Sequence, residues 1–341
     1  MNRRDFLCTS MAASTCVLIP PALVMAREVL PRRHEKLLIL IELNGGNDGL
    51  NTVIPFADPA YLSLRPTIGI HREHVLQLDE RTGIHPSMQS LMPIWRDGQL
   101  AIVQGMGYPR QNLSHFRSME IWDTASRSDQ YLRDGWLTRA FDTQAARASF
   151  AMTTSRFESL QAASPALETT FPDGPFGASI ETAMSALARR DALSGQGIPV
   201  IRLTLSGFDT HQNQPVQHAA LLKQLSEGLA AIRSSLTELG QWNNTLVMTY
   251  SEFGRGPREN ESNGTDHGTA APHFVMGGGV NGGLHGEAPA LARLDGNGNL
   301  PVSVDFRQMY ATVLGPWWGM DCAAILGGRF QTLPLLRARA A

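Results

Sequence analysis

Short, continuous apolar runs alternate with polar, glycine-rich breaks along the chain. Residues 36–43 (KLLILIEL) run apolar without alternation and end in Asn44-Gly45-Gly46-Asn47-Asp48-Gly49. A strand buried on both faces and then stopped by glycines has this pattern. QLAIVQ at 99–104, IPVIRLTL at 198–205, LVMTY at 246–250 and HFVM at 273–276 repeat it, each beside a polar or glycine-rich loop. Leu221, Leu222, Leu225, Leu229, Ile232 and Leu236 recur at three- and four-residue spacing, which predicts a helix over 216–239 that Gly240 ends. Strand, helix and strand in that order predict a βαβ unit with a right-handed crossover. Further helices are expected over 115–125, with Ser114 in the N-cap position, and over 306–314. The weakly periodic stretch 127–195 reads as a helical cap or insertion over the sheet, and 284–300 as a surface excursion.

Composition narrows the class. Of 341 residues, 43% are hydrophobic, and 29 Lys+Arg against 31 Asp+Glu give a net charge of −2. These proportions exclude a disordered or fibrous chain, and no basic footprint points to nucleic acid. Arg3-Arg4-Asp5-Phe6-Leu7 fits the twin-arginine export pattern, and Cys8 to Ala26 carries no charge. That stretch is only mildly apolar and is broken by Pro20-Pro21, so it reads as a removable signal rather than a permanent span. The expected organisation is a signal peptide over 1–26 and one α/β domain over 27–341. The expected partner is the twin-arginine export machinery, and the expected location periplasmic or secreted. Two of the 3 cysteines lie in the signal, leaving Cys322 with no disulfide partner. That suits a chain folded in the reducing cytoplasm before export.

The polar chemistry gathers where ligands bind in open α/β sheets, at the strand ends. Asp48 follows the first run, Ser114 and His115 the second, Asp209, His211 and His218 the third, and Glu252 the fourth. Asp266 and His267 precede the fifth. Carboxylates and imidazoles collected from several loops suit a divalent cation: Zn²⁺, Mn²⁺, Mg²⁺ or Ca²⁺. Structural alternatives stand beside each: Asp48 satisfying the amides of the glycine turn, Ser114 serving as a helix cap, Asp209 making an Asx-turn. His34, His71, His74 and His85 read as surface or structural. The loop at 44–49 could cradle an anion with its backbone N–H groups. Gly277-Gly278-Gly279-Val280-Asn281-Gly282 matches a dinucleotide fingerprint formally, but no amphipathic helix opens after it.

RRDFL at the start, ELNGGNDGLN at 42–51, NLSHF at 112–116, FDTH at 208–211, SEFGR at 251–255, DHG at 266–268 and DFRQMY at 305–310 occur in this order. Together they resemble the exported bacterial family catalogued as domain of unknown function 1501. That family is similar to the alkaline phosphatase and sulfatase superfamily. The resemblance implies a three-layer α/β/α sandwich with a mostly parallel central sheet, alkaline-phosphatase-like, with metals at the strand ends. It makes Ser114 the candidate nucleophile with His115 beside it, and Asp209 and His211 the central metal ligands. Glu252 falls where the superfamily has an Asp-His pair, His267 where it has a late metal-binding His, and Asp48 nearest the early Asp. The chain departs at three points: Asn44 ends the first strand, Phe253 follows Glu252, and Asp209 and His211 lie closer together than usual. The implied function is a metal-dependent hydrolase of small phosphate or sulfate esters. The alternatives are an exported binding or assembly protein on the same scaffold, with a co-exported protein partner, and a metal-free Ser-His-Asp hydrolase. The last lacks a G-x-S-x-G elbow around Ser114.

Overall fold

A computed structural model describes residues 36–141, 167–193 and 200–338. The signal at 1–26 lies outside the described residues. The described chain belongs to a unit spanning His34–Ala341. Apart from a small three-stranded sheet of two-residue strands at Val53–Ile54, Leu76–Gln77 and Gly83–Ile84, its strands are β1 (Leu37–Asn44), β2 (Leu100–Gly107), β3 (Val200–Ser206), β4 (Thr245–Tyr250), β5 (Arg255–Glu259), β6 (Thr265–His267), β7 (Ala271–Met276), β8 (Gly283–His285) and β9 (Val304–Asp305). The helices that matter for the site are α1 (His115–Thr124), α2 (Pro175–Leu193), α3 (Gln214–Glu238) and α4 (Phe306–Thr312).

The main sheet has seven strands in the order β8-β2-β7-β4-β1-β3, with β9 also paired to β2. β1 lies parallel between β3 and β4, so the five apolar runs found in the sequence are all strands of this sheet. The alternate residues of β1 separate two cores. Leu37, Ile39, Ile41 and Leu43 face one cluster with Leu222, Leu225 and Leu229 of α3. Leu38 and Leu40 face another with Trp122 of α1 and Tyr310 of α4. Because both faces of each central strand are covered, every position must be apolar, which is why the sequence shows runs instead of alternation. The result is a three-layer α/β/α sandwich with a mostly parallel sheet.

Two features depart from the expected arrangement. β7 is antiparallel to both of its neighbours, β2 and β4. Its N-terminal end therefore lies at the same sheet edge as the carboxyl ends of β1, β2 and β4, which brings the residues before β7 to the site. The stretch 127–195 does not form only a cap in its described part. Phe176, Ile180, Met184 and Leu187 of α2 are buried in the main core cluster with α3, so this helix belongs to one layer of the sandwich. The rest of the expected insertion, 142–166 and 194–195, lies outside the described residues. β8, within the expected surface excursion, pairs with β2 at the edge of the sheet. Among the described residues, no helix is long and apolar enough to cross a membrane.

Candidate functional site

The glycine turn after β1 sets the floor of the site. Gly45 and Gly46 have φ of +121° and +82°, values that favour glycine. A Cβ on Gly45 would lie 2.3 Å from the backbone N of Asp209, so the two loops touch through their backbones. The turn does bind an anion, and the anion is the protein's own Glu252. Gly45 N–H donates to Glu252 Oε1 at 2.8 Å, Gly46 N–H to Oε2 at 2.9 Å, and Asn44 Nδ2 to Oε1 at 3.2 Å. Glu252 is fully buried. Its carboxylate is thus committed to shaping the turn and, on one oxygen, faces His115 Nδ1 at 3.4 Å. Glu252 is not placed as an open metal ligand.

Asp48 also leaves the expected ligand set. It is buried, and Arg65 grips it in a fork, with Nη1 donating to Oδ2 at 2.6 Å and Nη2 to Oδ1 at 2.9 Å. Gln214 Nε2 donates to Oδ2 as well. Burial alone would push its carboxyl up, but Arg65 outweighs this and holds it below the ordinary carboxylate value. Behind it, His218 is buried with Nε2 on Asn47 Oδ1 at 2.9 Å, and burial pushes its imidazole down to about 3. His218 is therefore a neutral core residue away from the cluster.

The cluster itself forms around Asp209. His211 Nε2 and His267 Nε2 approach Asp209 Oδ1 at 3.0 and 3.2 Å, and His115 Nε2 approaches Oδ2 at 3.6 Å. Each imidazole has its other nitrogen turned to an acceptor. His267 Nδ1 meets Leu113 O at 2.9 Å, His115 Nδ1 meets Glu252 Oε1, and His211 Nδ1 lies 3.5 Å from Asp266 Oδ1. A carbonyl only accepts, so His267 Nδ1 carries a proton, while its Nε2 faces Asp209 Oδ1 and His211 Nε2. Orientation of a ring by its second nitrogen is how ligating histidines are fixed. Burial lowers the His267 pKa despite the Leu113 carbonyl and Asp209. Burial opposes the Asp209 charge, but Arg255 and the neighbouring imidazoles bring its pKa below the usual value.

His115, Asp209 and His267 each offer a donor atom, all within 4.8 Å of one another. Two zinc bonds of about 2.0–2.1 Å at a tetrahedral angle separate their donors by about 3.4 Å. The 3.2 Å from His267 Nε2 to Asp209 Oδ1 and the 3.6 Å from His115 Nε2 to Asp209 Oδ2 are of that order, each on its own carboxylate oxygen. His211 stands beside His267, with the two Nε2 atoms 3.0 Å apart on the same Asp209 oxygen, and Arg255 Nη1 lies 3.3 Å from its Nε2. Of the expected residues Asp48, Asp209, His211, Glu252 and His267, the structure brings Asp209, His211 and His267 together with His115 beside them, and turns Asp48 and Glu252 to other partners.

Arg255 was not among the expected site residues. It is buried, donates to Asp209 Oδ1 at 2.6 Å, and staples the surrounding loops through the carbonyls of Gly45, Gly46, Phe208 and Thr265. β5 pairs with β6 so that Arg255 stands opposite His267. Its sequence signal was the SEFGR motif, whose last residue carried no assigned role. Phe253, in the same motif, packs its ring against His115 and His267 at centroid distances of 4.9 and 4.4 Å. The apolar residue after Glu252 thus supports two imidazoles.

α1 delivers the remaining chemistry. Ser114 is its N-cap residue, is exposed and makes no side-chain cap bond. Along the chain it lies between Leu113, which accepts from His267, and His115. Trp122, further along α1, stacks on Phe306 at 4.3 Å and donates Nε1–H to Glu252 O at 3.1 Å, tying the helix to the end of β4.

A family model described as "Protein of unknown function (DUF1501)" matches residues 140–327. The chain belongs to the DUF1501 family. No curated protein matches this DUF1501 chain. Among solved structures, it is similar to Ps i-CgsB in complex with k-i-k-neocarrahexaose, at 10% identity and a TM-score of 0.40, covering 87% of this chain and 73% of that one. It is also similar to the lipoteichoic acid synthase LtaP from Listeria monocytogenes, at 10% identity and a TM-score of 0.39, covering 84% of this chain and 72% of that one.

Proposed function

We propose that this DUF1501 protein is an exported, metal-dependent hydrolase of phosphate or sulfate esters. The observation that carries the reading is the convergence of His115, Asp209 and His267 beside a helix N-terminus that presents an uncommitted serine. Two imidazoles and one carboxylate form a donor set suited to Zn²⁺ or Mn²⁺ more than to the oxygen-seeking Mg²⁺ or Ca²⁺. A bound divalent cation would supply Lewis acidity for the ester oxygens and the attacking hydroxyl. Ser114 supplies that hydroxyl in this reading. The free first-turn amides of α1 face charge developing at phosphorus or sulfur. Arg255 keeps Asp209 ionised, Glu252 holds the His115 ring, and the Leu113 carbonyl holds that of His267. The twin-arginine pattern at 3–7 supports export by that route, folded, to the periplasm or beyond.

Metal analysis of the full chain folded in the cytoplasm, with a panel of phosphate and sulfate esters, tests the reading. About one ion per chain is expected, lost in Asp209→Ala and His267→Ala, with hydrolysis lost in Ser114→Ala while metal is kept. Metal far below one ion per chain in every preparation would overturn it. A second reading, an exported binding or assembly protein on the same scaffold, is favoured by the internal commitment of Asp48 and Glu252, which leaves one carboxylate in the donor set. A constant co-purifying partner, with every phenotype intact in Ser114→Ala, would select it.

A further inference from the structure

A cleft of about 560 Å³ opens beside the cluster and reaches it through His115 and Glu252. That volume lies in the range of sites that hold whole small molecules, and far exceeds what a bare phosphate or sulfate group fills. Its walls carry charges of both signs, and nearly all are spent. Glu120 pairs with Arg117 at 2.8 Å, Asp123 pairs with Arg202 across the cleft floor, and Glu252 is held by the glycine turn. Arg133 is exposed and has no hydrogen-bond or ion-pair partner among the described residues. The unspent charge of the cleft is therefore positive. The second unspent group is Phe116, next to His115. It is 92% exposed, and no ring packs on it among the described residues. Phe116 thus offers an aromatic face beside the donor cluster, at the mouth of a cleft, that a flat ligand can cover.

We infer that the cleft takes the body of the ester: a group with a flat apolar face, seated on Phe116, and a second negative charge, paired with Arg133. The inference rests on the hydrolase reading for the reacting end and adds the substrate class. Phe116 and Arg133 act on binding of the leaving group and take no part in the chemical step.

Three esters whose leaving alcohols ionise alike separate the contributions: methyl phosphate, benzyl phosphate and 4-carboxybenzyl phosphate, with the sulfate series in parallel. Wild type is expected to show kcat/KM rising in that order. Phe116→Ala should remove the advantage of benzyl over methyl, about three- to tenfold for a lost aromatic contact. Arg133→Ala should remove the advantage of the carboxylate, about two- to fivefold for an exposed ion pair, and Arg133→Glu should invert it. Both residues are exposed, so thermal melts should match wild type. Equal kcat/KM across the three esters in wild type, or unchanged preferences in both variants, overturns the inference. Should no ester turn over, the hydrolase reading fails first, and calorimetric binding of 4-carboxybenzylphosphonate against methylphosphonate still decides the cleft. Preference for the former, lost in the two variants, supports it, and equal binding overturns it.

Discussion

Replacing Asp48 by Asn distinguishes a structural ion pair from a metal ligand. The substitution keeps the shape of the side chain but turns an NH₂ towards a guanidinium that is itself fully buried. Asp48 receives three N–H groups, two from Arg65 and one from Gln214. Removing one partner of a buried pair strands the other charge and costs about 3–5 kcal/mol. For a domain of this size each kcal/mol lowers Tm by about 2–3 °C, so a fall of about 6–15 °C is expected at pH 7. Far-UV circular dichroism melts read the shift, and metal analysis of the same samples should show the ion content unchanged. A double-mutant cycle with Arg65→Gln isolates the pair: coupling of about 1–3 kcal/mol is expected for groups in direct contact. A Tm within 2 °C of wild type together with loss of metal would refute the reasoning, because it would make Asp48 a ligand whose carboxylate Arg65 does not need.

Gly45→Ala should cost about 2–4 kcal/mol, since the left-handed backbone is strained for alanine and its Cβ meets the Asp209 amide at 2.3 Å. Gly240→Ala, with φ +66° but nothing within 4 Å, should cost only about 1 kcal/mol and leave metal content intact. Equal melts for the two variants would show that the contact between the β1 turn and the Asp209 loop is unimportant. Burial pushes His85 down to about 4 and His218 and His273 down to about 3, so all three are neutral in the native state. Unfolded histidines take up protons below about pH 6.5, so stability is complete above that pH and falls as pH drops towards the native values. Three such groups give a slope of about 4 kcal/mol per pH unit between about pH 6 and 4. Acid titration followed by circular dichroism should show unfolding before pH 4, with a shallower slope in His218→Gln. A flat profile to pH 4 would contradict the burial argument.

The layers of this fold were legible because burial on two faces leaves a sequence no freedom. β1 and β4 had to be continuous apolar runs, and α3, buried along one face, had to repeat its leucines at helical spacing. Strand direction was not legible in the same way. HFVM reads identically in either direction, and the antiparallel setting of β7 is fixed by the β5–β6 hairpin that precedes it. α2 was read as part of an insertion because its buried face is built partly from small residues such as Ala183 and Ala186, which give weak periodicity although the helix is in the core.

The site was legible as a location and not as a partition of roles. Sequence places Asp48, Glu252, Asp209 and His267 at strand ends alike, and a carboxylate beside a glycine turn has the same letters whether it binds a cation or is bound by amides. What separates them is where each compensating charge comes from. Asp48 is answered by Arg65, seventeen positions along the chain and in no recognisable motif. Glu252 is answered by the N–H groups of Gly45 and Gly46, more than two hundred positions away. Asp209 receives only part of its answer from Arg255, and faces the Nε2 atoms of His211, His267 and His115 with its remaining capacity. A carboxylate and imidazole nitrogens held this close need a proton or another positive charge between them. The fold fixes the rings of His115 and His267 through Glu252, the Leu113 carbonyl and Phe253, so they are not free to turn away. The same covalent pattern thus yields two carboxylates answered inside the fold and one, Asp209, that is shared among Arg255 and three imidazoles.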